Sequence, residues 1–146
     1  MSSYEHRTWW REHDLTARLA HPGFLEAAVL CAFVVGAADG GVSAEEYDAL
    51  LDRLVILGDV DRDLVDEHLT SAARLMEADG FAPLMRRAGE LLVDGPSRTA
   101  ALMLGLAIAL ADDDVADSER ELARQLGEAI ALPGFDLDGA IAVLRG

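Results

Sequence analysis

Two short stretches of this 146-residue chain carry the residue types best suited to chemistry, and the second repeats the first. Ala38-Asp39-Gly40-Gly41-Val42-Ser43-Ala44-Glu45-Glu46 recurs as Ala111-Asp112-Asp113-Asp114-Val115-Ala116-Asp117-Ser118-Glu119. Asp39 and Asp112, Val42 and Val115, and Glu46 and Glu119 each stand 73 residues apart. Four carboxylates, Asp39, Glu46, Asp112 and Glu119, thus occupy matching places, with Asp113, Asp114 and Asp117 beside the second pair. If the two turns converge, such an all-oxygen set suits calcium, magnesium or manganese better than zinc. The same residues also have a structural use. An aspartate in a turn accepts N–H groups of its own backbone, and a glutamate in a first helical turn reaches back to cap it. Spacing alone leaves both readings open, because it does not say whether the turns meet.

Other chemistry is poorly supplied. The single cysteine, Cys31, lies inside an apolar run, where a thiol serves as packing. His6 and His13 are spaced to share a helix face but have no third convergent ligand. No phosphate-cradling glycine loop is present, and no histidine has an identifiable nucleophile partner. Asp59-Val60-Asp61-Arg62-Asp63 starts like a calcium loop, yet the sixth position is Leu64 instead of glycine and the twelfth is Thr70 instead of glutamate. That template fails. The expectation is a protein that binds rather than one that catalyses. Besides a cation, a protein partner is a candidate ligand, with Trp9 and Trp10 as a possible anchor, since tryptophan is enriched at interface hot spots.

The elements that must position these residues are helical. Ala and Leu dominate, and aromatic residues make up 5% of the chain, which favours close-packed helices over strands. A first helix is expected over residues 4–20, with Trp9, Trp10, Leu15 and Leu19 among charges. After His21-Pro22-Gly23, residues 24–38 are nearly all apolar and should be enclosed by other helices. Ser43 and Glu46 can form a capping box for a helix carrying Tyr47, Leu50, Leu51, Leu54 and Leu57 and ending at Gly58. Asp61 can cap a helix with inner face Leu64, Val65, Leu69, Ala72 and Met76, ended by Asp79-Gly80, with His68 at its edge. Phe81, Leu84, Met85, Ala88, Leu91 and Leu92 define the next, stopped at Asp94-Gly95-Pro96. The second apolar helix covers about residues 97–111. Leu122, Leu126, Ala129 and Ile130 follow the second acidic turn, and a short last helix carries Leu137, Ile141 and Leu144. The expected fold is a single all-α domain of about seven to eight helices with an internal pseudo-twofold repeat. Its repeated hairpins fall at residues 24–58 and 97–134, after an N-terminal helical extension over residues 1–21.

Charge and cysteine usage narrow the function classes. A formal charge of −15 leaves nothing to neutralise several phosphates along one face, so nucleic acid is an unsuitable partner and anionic membranes are disfavoured. The uncharged apolar runs within the two apolar helices, residues 27–38 and 100–111, are each about a dozen residues against the ~20 that a membrane helix requires. The N-terminus has no apolar signal region, and one cysteine allows no intrachain disulfide, so a reduced, cytoplasmic setting is expected. The pattern specifies no oligomeric state.

The residues quoted resemble the tellurite-resistance TerB family, which is similar to the helical domain preceding the J-domain in DjlA-type cochaperones. The likeness rests on Ala38-Asp39-Gly40 with Val42 and Glu46, on Ala111-Asp112 with Val115 and Glu119, and on the apolar helix before each. It spans about residues 24–144 and leaves Trp9-Trp10 outside. The second turn has Asp113 where the family commonly has glycine. His21-Pro22-Gly23 lacks the aspartate of the J-domain tripeptide, so no cochaperone role carries over. The resemblance implies an all-helical fold without an established catalytic centre, linked to tellurite and general stress resistance, with the acidic residues as a proposed cation site.

Overall fold

The computed structural model describes residues 8–38, 44–58, 60–109, 116–132 and 134–145, without the side chains of Glu46 and Leu57. Nine helices run through them: α1 (Thr8–Glu12), α2 (Leu15–Arg18), α3 (Pro22–Gly36), α4 (Ala44–Gly58), α5 (Arg62–Asp79), α6 (Ala82–Leu91), α7 (Gly95–Ala109), α8 (Asp117–Ala129) and α9 (Leu137–Arg145). No strand occurs among the described residues, and the all-α expectation holds.

The ninth helix arises because the first expected one is broken. An unbroken helix would point Trp10 and Leu15, five positions apart, to sides about 140° apart. Asp14 instead takes a left-handed conformation (φ 52, ψ 44), which turns α2 so that Trp9, Trp10, Leu15 and Leu19 all enter the core. A second difference lies at residues 94–96. Gly95 and Pro96 belong to the first turn of α7 rather than to a stop, since proline's missing N–H costs nothing there. Asp94 caps that turn, its Oδ1 accepting from the Ser97 N–H at 2.7 Å. Asp61 caps α5 as expected, accepting from Asp63 N–H at 2.9 Å.

The repeat is visible in the helix limits. α3 and α7 begin 73 residues apart and end 73 apart, and α4 and α8 begin 73 apart. Residues 8–18 fall at the place that 81–91 hold in the second half, so α1 and α2 together stand where α6 does. α3 and α7 pack on each other at the centre, apolar on nearly every side. A close approach joins equivalent positions: a Cβ added at Gly105 would lie 2.7 Å from Cys31 Cβ and 3.0 Å from the backbone nitrogen of Ala32, the counterpart of Gly105. Only glycine admits that contact. Around this pair α4 lies against α3, α5 and α7, while α8 lies against α3, α6 and α9.

The two central helices run in parallel. Arg87 Nε bonds Glu26 Oε2 at 2.9 Å, and a Cβ at Gly23 would sit 3.8 Å from Leu91, so α6 descends antiparallel to α3 and ends beside its start. The short connection from Leu91 to Gly95 then starts α7 at that end, where Arg18 Nη1 donates to Ser97 Oγ at 2.8 Å. From there both helices advance to meet at Cys31 and Gly105.

Candidate functional site

Parallel central helices bring their C-terminal ends, Gly36 and Ala109, to the same end of the bundle. In sequence each of these ends is followed by an acidic stretch and then by α4 or α8. Asp39, Asp112, Asp113, Asp114 and Ser43 lie outside the described residues. Glu46 is in the first turn of α4, its side chain also outside.

Glu119 is described, and it has a local task. Its Oε1 accepts from the Ala116 N–H at 2.9 Å, tying down one of the donors left open at the start of α8. Ala116 has no side-chain oxygen to return the bond, so half of a capping box is formed. Asp117 and Glu119 both sit in the first turn, where the helix dipole favours negative charge. The staple role anticipated for the glutamate is therefore present at Glu119.

Arg53 was not singled out by sequence reasoning. From α4 its Nη1 donates to the Ile108 carbonyl at 3.1 Å. Carbonyls in a last turn have no intrahelical donor and carry the negative end of the dipole, so a guanidinium there satisfies both needs. The contact links the helix following the first acidic stretch to the helix preceding the second. The sequence signal was faint: one basic residue inside the stripe Leu50, Leu51, Leu54.

Trp9 and Trp10 are not a surface anchor. Each is 3% exposed, their rings meet edge to face with centroids 5.9 Å apart, and Trp10 Nε1 donates to Thr16 Oγ1 at 2.9 Å. The physical reason is the break at Asp14, which turns both indoles into the core; the partner-anchor expectation is corrected accordingly. Cys31 is fully buried, and desolvation pushes its thiol up to about 12, so no thiolate is available for nucleophilic attack. His13 is shifted down, chiefly by burial. Among the described residues no group of three or more His, Cys, Asp or Glu is arranged to hold a metal ion.

Two clefts have polar linings. One, between α8 and α9, is lined by Arg120, Arg124, Phe135, Asp136 and Asp138 among others, with Arg120 paired to Asp138. The other runs along α5 past Asp66, His68 and Thr70. Beside it the Tyr47 hydroxyl bonds the Asp66 carboxylate and Thr70 Oγ1, the latter at 2.9 Å. Desolvation and then the Asp66 contact raise the Tyr47 pKa. The buried Nε2 of His68 has no hydrogen-bond partner among the described residues.

A sequence model of the family described as "Tellurite resistance protein TerB" matches residues 24–141, most of the chain. The chain belongs to the TerB family. No curated protein and no solved structure gives a match. In this TerB protein the matched region opens near the start of α3 and closes within α9, so both acidic stretches lie inside it and α1 and α2 do not. No helix among the described residues is long and apolar enough to cross a membrane.

Proposed function

We propose that this TerB-family protein acts by binding rather than catalysis, in tellurite resistance and the wider stress response of the cytoplasm. Its ligand is a divalent cation held by Asp39, Glu46, Asp112 and Glu119. The observation that supports this reading is the parallel course of α3 and α7: their C-terminal ends, each followed in sequence by an acidic stretch, share one end of the bundle. Two further features support it. The net charge of −15 attracts cations over the whole surface, and oxygen-only ligands suit calcium, magnesium or manganese. Glu119 then has two tasks: the oxygen that caps α8 holds the carboxylate in place, and a carboxylate has coordination sites to spare.

Calorimetric titration of the metal-free protein with calcium, magnesium, manganese and zinc tests the proposal. A binding heat for at least one of the first three, absent in Asp39→Ala/Asp112→Ala, is expected. No heat for any metal, or heat unchanged in the double variant, would remove the reading. Glu119→Gln refines it: the amide oxygen still accepts from Ala116 N–H, so stability should fall by less than about 1 kcal/mol while cation affinity drops.

A further inference from the structure

We propose that residues 8–19 form a strap that releases as a unit from an otherwise folded bundle, uncovering an apolar seam beside the start of α7. Three observations lead to it. The region shared with the family begins at Phe24, after the strap. α1 and α2, five and four residues long, are far too short to persist alone, and Asp14 joins them in a left-handed conformation that disfavours L-residues. Their attachment runs through side chains. α1 and α2 make their close backbone contacts chiefly with each other, whereas α6, in the equivalent place, packs closely on α3, α5 and α8.

The polar bonds point the same way. Trp10 Nε1 bonds Thr16 Oγ1 inside the strap, so that bond does not tie the strap to the bundle. Arg18 ties the strap to the bundle: its Nε donates to the His13 carbonyl at 2.9 Å within the strap, and its Nη1 donates to Ser97 Oγ at 2.8 Å on α7. What resists release is the burial of Trp9, Trp10, Leu15 and Leu19. A segment with few close backbone contacts opens at a lower free energy than the core, as a cooperative unit.

Both tryptophans of the chain lie in the strap, so intrinsic fluorescence reports on it selectively. Urea titration of the full chain should show the emission shifting to the red at a lower urea concentration than the loss of helical circular dichroism. Arg18→Ala should widen the gap by moving only the emission transition. The indole N–H of Trp10 should exchange with solvent at least about tenfold faster than the central amides of α3. Coincident transitions in the wild type, or a variant in which both transitions move together, would show one cooperative unit and overturn the proposal. An indole N–H as slow as the slowest α3 amides would do the same.

Discussion

Residues 8–18 and 81–91 hold the same place in the two halves, each ahead of a central helix, and they reach the core by different means. α6 is continuous and small on its inner side. Leu84 and Ala88 are buried, and Gly89 lies so near α8 that a Cβ there would sit 3.1 Å from the Ala129 carbonyl. The first-half counterpart relies on bulk: two indoles and two leucines on a backbone broken at Asp14. The lesson is that a repeat sets where a segment sits but not how firmly it is coupled. Close backbone approach couples α6 to the bundle, while α1 and α2 approach each other more closely than any other helix.

Truncations of equal burial in the two segments give the largest test of that contrast. Leu84 and Leu15 are both 0% exposed. Leu84→Ala should cost about 2–5 kcal/mol of global stability and shift the dichroism and fluorescence transitions together. Leu15→Ala should shift the fluorescence transition and leave the dichroism midpoint nearly in place. Equal losses of helical stability in both variants would break the comparison.

A smaller change sharpens it from the other side. Asp14→Gly relieves the left-handed conformation (φ 52) and should stabilise the strap by about 0.5–1 kcal/mol, read as a higher urea midpoint for tryptophan emission only. No gain would mean that the Asp14 conformation carries little cost.

The smallest effect concerns the positions just before the central helices, His21 and Asp94, also 73 residues apart. Asp94 caps α7, whereas His21 makes no side-chain cap bond to α3. The backbone hydrogen bond from Ser97, then its side chain, then Arg18 and Arg98, hold the Asp94 carboxyl below its usual range. A lowered folded-state pKa gives stabilisation that is present above the unfolded carboxylate value and lost as pH falls through the folded one. Asp94→Asn should therefore flatten the acid limb of stability measured by urea unfolding from about pH 6 to about pH 3. A limb of unchanged steepness would count against the cap.

Much of the fold was legible in the residues. The apolar helices before each acidic stretch, the Asp61 cap and the ends of α5 all follow from local rules, and the 73-residue register reappears in the helix limits. Three features were not legible. Periodicity shows which face of a helix is apolar but not what covers it, so the packing of α4 on both central helices and of α8 on α3 had no sequence signal. A pair of tryptophans among charges reads equally as anchor or core, and the decision rests on the Asp14 turn, a conformation that aspartate tolerates without announcing it. The Arg53 bond to Ile108 joins residues 55 positions apart. At the candidate site, Glu119 matched its expected capping role because a cap is local. Whether the two stretches meet is not a local property, and only the parallel course of α3 and α7 bears on it.

The central claim is that the two halves serve one cation together, and its most direct test is the stoichiometry of binding in single variants. Titration of metal-free protein with calcium, magnesium or manganese should give one ion per chain, and Asp39→Ala and Asp112→Ala should each abolish it. Two ions per chain, each lost only with the variant of its own half, would contradict the claim and leave two separate acidic turns on a helical frame.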